Sequence, residues 1–332
     1  MAQSLFKALQ AENPQTSIDV VAPGWSEPLL ARMPEVNRAI PLPVNHGELA
    51  LRKRFQLGRA LRGRRYDQAI VLPRSLKAAI PPWVAGIPRR TGYLGEHRYG
   101  LLNDIRPLDK KRLYRTVDRF VALAFDAPQA GFDAGLPTIP SPELGSSPDQ
   151  QTKALTALKL SREKPALALC PGAEYGPAKR WPPEYFAALA RHYLADGWQV
   201  WLLGSDKDDG IATGITEQAE GAINLTGKTT LAQAIDLLAA SDAVVSNDSG
   251  LMHVAAATGT PLVALYGSSD PQYTPPLSER AKVLYRNLEC SPCFERECPL
   301  EHLNCLRGIT PAEAIEALQQ LQSPNASPAT ED

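Results

Sequence analysis

Four short apolar runs in the second half of the chain alternate with segments of helical spacing. The runs are 165–170 (PALALC), 198–203 (WQVWLL), 242–246 (DAVVS) and 261–266 (PLVALY); the helical segments are 182–196, 207–220, 230–240 and 249–258. Strand and helix in turn mean a parallel sheet with crossover helices. The first half repeats the pattern, with strands at 17–22, 36–40 and 67–72 and helices at 1–12, 47–62, 75–85 and 111–124. Between them hydrophobic periodicity gives way to Pro, Ser and Gly in PTIPSPELGSSPDQ. The expected organisation is an N-terminal lobe over 1–136, a linker over 137–151, a C-terminal lobe over 152–321 and a disordered tail over 322–332. Two doubly wound α/β lobes put a cleft between them, and loops after parallel strands are the first place to look for chemistry.

A length of 332 residues is enough for two such lobes. No stretch approaches the roughly 20 apolar residues that cross a bilayer, and MAQSLFKALQAENP lacks a signal-peptide core, so a cytoplasmic location is expected. Four of the five cysteines crowd between Cys290 and Cys305, unlike a disulfide framework spread over a secreted domain. The net charge of -1 hides an asymmetry: residues 1–150 hold 21 Lys+Arg against 14 Asp+Glu, and the remainder holds 14 against 22. A basic half suits an anionic partner such as nucleic acid, a phosphorylated glycolipid or an acidic membrane, while Arg-rich helix faces can equally be solvated.

Four post-strand loops stand out. The first, PGAEYGPAKRWP (171–182), opens a helix and carries Lys179, a point charge suited to a diphosphate. The second, Asn247-Asp248-Ser249-Gly250-Leu251-Met252-His253, groups a capping residue, a glycine and an imidazole around one helix start. Gly204-Ser205-Asp206 offers a carboxylate for sugar hydroxyls, and Tyr266-Gly267-Ser268-Ser269-Asp270 offers further phosphate contacts. Gly227-Lys228-Thr229-Thr230 imitates the end of a Walker A motif, but Gly221 is one residue too distant. The run Cys290-x2-Cys293-x4-Cys298-x6-Cys305 lacks the paired spacing of a zinc ribbon; a packed, reduced loop without metal is expected.

PGAEYGPAKRWP, LTGKTTLAQAIDLLAASDAVVSNDSGLMHVAAATGTPLVALYGSSDP, CSPCFERECPLEHLNCL and IPRRTGYLGEHRYGLLND together resemble the ADP-heptose:lipopolysaccharide heptosyltransferases over nearly the whole chain. The resemblance implies the GT-B architecture of two Rossmann-like lobes, with the donor in the C-terminal one. It implies an inverting transfer from ADP-L-glycero-β-D-manno-heptose to heptosyl-Kdo2-lipid A at the cytoplasmic face of the inner membrane, without cofactor, metal or nucleic acid. Asp248, Ser249, Gly250, Leu251 and His253 would then hold the diphosphate and heptose, and Lys179 would neutralise charge. Asp206, Gly227, Lys228 and Thr229 would lie near the sugar or adenosine. Lys77, Arg89, Arg90 and Arg98 would meet the anionic acceptor.

The family opens with a hydrophobic strand and a Gly-Asp loop ahead of the helix that here reads MAQSLFKAL, and that Asp serves as base. Neither is present in this sequence, so the expectation is that the first strand and the base lie upstream of Met1 and that the chain as written is inactive. Rival readings are another GT-B sugar-nucleotide enzyme, such as an epimerase, and a non-catalytic nucleotide or nucleic-acid binder. The basic N-terminal half counts against the epimerase, and missing aromatic-basic interleaving counts against the binder of nucleic acid.

Overall fold

The computed structural model describes residues 1–44, 47–126 and 138–323. The chain divides into two compact units, Met1–Pro140 and Ser141 onward.

The first unit runs α1 (Ala2–Glu12), β1 (Ile18–Pro23), α2 (Glu27–Leu30), β2 (Val36–Leu42), α3 (Leu51–Arg62), β3 (Gln68–Ile70), α4 (Leu76–Val84), β4 (Arg89–Tyr93), β5 (Asp104–Arg106) and α5 (Thr116–Val121). Every strand pairing is parallel, as the alternation requires, but the strands form two ladders, β1–β2 and β3–β4–β5. Side chains link the two: Ile40 of β2 and Ala69 of β3 pack on a shared cluster of Leu61, Ala85 and Ile87. Close approach of α3 and α4 depends on Gly58, where a Cβ would stand 2.6 Å from Val84 Cβ. The helix expected over 111–124 shrinks to α5 and a 3-10 turn at Ala122–Ala124, while Leu113 enters the core from an irregular segment.

β4 and β5 are absent from the sequence reading because their charges are paired in place. Arg106 hydrogen-bonds Asp104 through both Nε (2.6 Å) and Nη2 (2.9 Å), and Thr91 Oγ1 and Arg89 Nε donate to the same carboxylate at 2.9 and 3.1 Å. The Arg106 hydrogen bond, helped by Thr91 and Arg89 against the cost of burial, holds the Asp104 carboxyl down to about 2. A depressed carboxylate stabilises the fold above its unfolded pKa, near 4, and that contribution disappears as pH falls toward 2. We predict that Asp104→Asn costs about 2 kcal/mol at neutral pH, with the gap to wild type narrowing between about pH 4 and 2. Denaturant melts at several pH values check it; a gap that does not change with pH contradicts the assignment.

The second unit contains α6 (Pro148–Ala157), β6 (Ala166–Cys170), α7 (Pro183–Ala195), β7 (Gln199–Leu202), α8 (Asp209–Gln218), β8 (Ile223–Asn224), α9 (Leu231–Ala240), β9 (Ala243–Asn247), α10 (Gly250–Ala257), β10 (Leu262–Tyr266), β11 (Ala281–Tyr285), α11 (Asn304–Arg307) and α12 (Pro311–Gln322). Its sheet is wholly parallel in the order β11-β10-β9-β6-β7-β8. Leu167, Leu169, Val200, Leu202, Val245, Val263 and Leu265 face a core filled by Trp181, Phe186, Leu189 and Leu318. Full burial of each large aliphatic side chain contributes about 1.5 to 3 kcal/mol. The chain winds outward from β6 to β8, then returns to place β9 on the other side of β6. The switch point therefore falls between the C-terminal ends of β6 and β9, where open α/β sheets bind ligands.

The linker expected over 137–151 is shorter than its composition suggests. Residue 137 lies outside the described residues, and Leu144 is buried with its N–H donated to Ala257 O at 2.8 Å. A Ser147/Gln150 capping box starts α6 at Pro148, so the last residues of the expected linker are helical. At the other end Gln322 closes α12; the expected tail from 324 onward lies outside the described residues.

Candidate functional site

β6 and β9 end side by side, and their loops meet at Asp248. This buried carboxylate accepts from Lys179 Nζ at 2.5 Å and from Ser269 Oγ at 2.6 Å, which ties the β6–α7 loop and the loop after β10 to the start of α10. Asn247 adds a second strap: its Oδ1 accepts from Trp181 N–H at 3.0 Å and its Nδ2 donates to Pro171 O at 2.7 Å. With both ends of the amide committed, the loop bearing Lys179 has one position. Lys179 also lies over the Tyr175 ring, 5.0 Å from its centroid.

Ser249 caps α10 in extended conformation with no side-chain hydrogen bond to the helix. The first N–H groups of α10 thus have no side-chain cap, and the helix dipole favours an anion there. A Cβ at Gly250 would meet nothing within 4 Å, so the space before the helix is open. Ser246 Oγ and Ser249 Oγ stand 3.4 Å apart at its edge. His253 follows within the first turn. Burial brings its imidazole down to about 4, with Lys179 acting the same way and Asp248 opposing it, so the ring is neutral near pH 7. It can donate a hydrogen bond to an anion but brings no charge.

The remaining donor-side residues form a separate rim at the ends of β7 and β8. Asp206 is exposed and packs on Gly227, where a Cβ would lie 3.0 Å from Asp206 Cα; Gly227 has φ +67 and donates to Gly204 O at 3.1 Å. Lys228 Nζ donates to Asn224 O at 2.9 Å, and Thr229 precedes the Thr230/Gln233 capping box of α9. The Walker resemblance is thus a helix cap. Lys207 links rim and hub by its ion pair with Glu174, 2.7 Å. Leu251 is half-buried on α10. Two further groups complete this region, Ser269 from the YGSSD loop that the sequence singles out and Asp208, which the sequence reading misses. Ser269 joins the hub, and Asp208, buried, accepts from Ser205 N–H and Oγ at 2.9 and 2.8 Å while occupying the space that a side chain at Gly172 would need. The Ser205-x-x-Asp208 spacing of a helix cap is the signal that could have marked Asp208.

In the first unit, the basic residues assigned to the acceptor all have internal partners. Lys77 Nζ donates to Gly47 O and Glu48 O at 2.9 and 3.2 Å. Arg89 pairs with Asp104 and Asp126 while its side chain stays 42% exposed. Arg90 donates to Leu101 O at 2.7 Å and Ile87 O at 2.5 Å. Arg98 is fully buried and bonds the carbonyls of Tyr93, Pro73 and Ser75. Its assignment to the acceptor is therefore corrected: it is a strut inside the unit.

An all-parallel α/β unit with a lysine, an uncapped helix start and serine hydroxyls at its switch point has the layout of open α/β proteins that take ligands at the C-terminal ends of their strands. Residues 54–304 match the model of glycosyltransferase family 9 (heptosyltransferase). The chain is 47% identical to lipopolysaccharide heptosyltransferase 2 of Escherichia coli (strain K12) over 327 residues, 97% of this chain and 94% of the relative. It is 45% identical to lipooligosaccharide heptosyltransferase 2 of Haemophilus influenzae, covering 97% and 95%. The solved structure of E. coli ADP-heptose lps heptosyltransferase II superposes with a TM-score of 0.86 at 46% identity, over 97% of this chain and 94% of that one. The chain belongs to glycosyltransferase family 9, the heptosyltransferases, and is a glycosyltransferase with an α/β fold. Among the described residues, no helix is long and apolar enough to cross a membrane.

Proposed function

We propose that this enzyme transfers L-glycero-D-manno-heptose from ADP-heptose to heptosyl-Kdo2-lipid A, adding the second heptose of the lipopolysaccharide inner core. Near-full-length identity of 45–47% to proteins named heptosyltransferase 2 carries the reading. The hub at Asp248 supplies its chemistry. The diphosphate lies at the start of α10, against free N–H groups and one donor of Lys179, with neutral His253 donating a further hydrogen bond. As the glycosidic bond breaks, charge grows on the departing ADP, and groups already aimed at that oxygen stabilise it without reorganising. Lys77, Arg89 and Arg90 remain proposed contacts for carboxylates and phosphates of the acceptor. Incubation with ADP-heptose and heptosyl-Kdo2-lipid A, following ADP release and product mass, tests the proposal. Release of ADP without a heptosylated product, or an equal rate with Kdo2-lipid A, would sink it.

A lipid acceptor implies contact with a membrane surface, here the cytoplasmic face of the inner membrane. α3 supports it: Leu51 and Phe55 are exposed one turn apart, Trp83 of α4 stacks edge-on with Phe55 at 6.4 Å, and Arg52, Lys53, Arg59 and Arg62 are exposed around them. Phe55→Glu with Trp83→Glu is expected to weaken sedimentation with phosphatidylglycerol vesicles by about tenfold or more. Unchanged co-sedimentation, or equal binding to neutral vesicles, contradicts this placement.

A further inference from the structure

Cys290, Cys293, Cys298 and Cys305 are free thiols lining one small cavity, with Ser268, Ala178, Leu300 and His302 among its other walls. Cys305 is buried and the other three half-buried; a thiol that only fills space needs no second sulfur beside it, whereas four from a 16-residue stretch around one cavity have the chemistry of a soft-metal donor set. Residues 286–303, between β11 and α11, contain neither helix nor strand, yet this segment braces both loops of the site. Phe294 N–H donates to Ser268 O at 2.7 Å, Ser291 Oγ to Gly267 O at 2.6 Å, and Arg296 O accepts from Ala178 N–H at 3.0 Å. Three of its non-glycine residues, Phe294, Glu301 and Leu303, hold left-handed φ of +58, +56 and +52. A segment so short of internal backbone pairing keeps its place only if something else ties it.

His302 does not compete for that role. Its Nδ1 accepts from Asn304 N–H at 3.0 Å, so the neutral ring carries its proton on Nε2 and has no lone pair to give. As the side chains stand, no three His, Cys, Asp or Glu groups among the described residues form a ready ligand set. Each sulfur turns on a single χ1 bond, and a bound cation supplies the attraction that draws four of them inward.

We propose that Cys290, Cys293, Cys298 and Cys305 bind one thiophilic transition-metal ion, zinc(II) or iron(II), in a tetrahedral all-sulfur site that fixes segment 286–303 against the loops bearing Lys179 and Ser269. Each thiol gives up its proton to water on binding, and the metal keeps its oxidation state. The site is structural and separate from the phosphate-binding atoms.

The test uses the full chain, purified without chelators from medium containing both metals. Elemental analysis is expected to find zinc plus iron at about one per chain. Cobalt(II) reconstitution should give sulfur-to-cobalt charge-transfer and tetrahedral d–d bands, both lost in Cys293→Ser with Cys298→Ser. Because that variant can fail to fold, wild-type protein is also titrated with a thiol reagent in the native state. All five thiols should resist it, Cys170 through burial and the other four through the metal, until a mercurial displaces the metal, which a colorimetric chelator then detects at about one per chain. Metal at trace level with no cobalt–thiolate band in reduced, folded protein would overturn the proposal. So would disulfides among the four cysteines of the protein as isolated.

Discussion

Lys179→Ala is expected to lower kcat/KM for ADP-heptose by roughly thirty- to a thousand-fold, equivalent to about 2 to 4 kcal/mol of lost transition-state stabilisation. Lys179 places an ammonium at the switch point, held there by Asp248 at 2.5 Å. On the proposed placement of the diphosphate, removing Lys179 takes away charge where the departing group gains it, so most of the loss should fall on kcat rather than KM. Asp248→Ala should produce a similar loss by a different route, releasing Lys179 and Ser269 together. In the double variant the losses should not add, because both act through one ammonium position. Steady-state kinetics on the four proteins, with circular dichroism to check folding, decides the matter. Near wild-type turnover in either folded single variant, or fully additive losses, means that the ion pair is architecture and the donor lies elsewhere.

Arg98→Leu is expected to destabilise the first unit by about 3 to 5 kcal/mol, against the roughly 5 to 15 kcal/mol that holds a domain together. The guanidinium is completely buried and joins Tyr93 of β4 to Pro73 and Ser75 ahead of α4. Gly92 makes room for it: a Cβ there would lie 3.2 Å from Arg98 Nη2 and 3.0 Å from Val71 O. Leucine leaves the carbonyls of Tyr93 and Pro73 without this donor, each costing about 1 to 3 kcal/mol if water cannot replace it, while Ser75 O keeps the Ala78 N–H at 3.2 Å. Denaturant unfolding followed by intrinsic fluorescence reads the effect. A loss below about 1 kcal/mol, with a raised acceptor KM as the main change, would return Arg98 to the surface role that its sequence context suggests.

Arg98 also marks how far the sequence is legible. The strands at 165–170, 198–203, 242–246 and 261–266 are readable because strands buried on both faces must be apolar throughout. β4, with Arg89 and Arg90 at its start, breaks that pattern, and only the fold supplies the carboxylates and carbonyls that make the charges tolerable. The surplus of cations in residues 1–150 likewise overstates the charge offered outward, since Arg54, Arg98 and Arg106 are buried against carbonyl or carboxylate oxygens. At the site, the helix start at 248–253 is readable because a capping residue, a glycine and an imidazole fall within six consecutive residues. The partners of Asp248 are 69 and 21 residues away along the chain, and only the parallel sheet brings them together. The linker misleads because Pro and Ser are also how a helix begins, as Ser147 and Pro148 do.

The bond between Lys179 and Asp248 has a kinetic consequence. An unaccompanied ammonium facing the start of a helix would grip ADP after the sugar had left, and every cycle would wait on its escape. On the proposed placement of the diphosphate, Asp248 offsets part of that charge, so the hold on spent nucleotide is expected to be weaker than a lone ammonium would give. If ADP leaves from there as proposed, the pair shortens product residence and softens inhibition by ADP, so that the enzyme keeps turning over while the nucleotide it discards builds up around it.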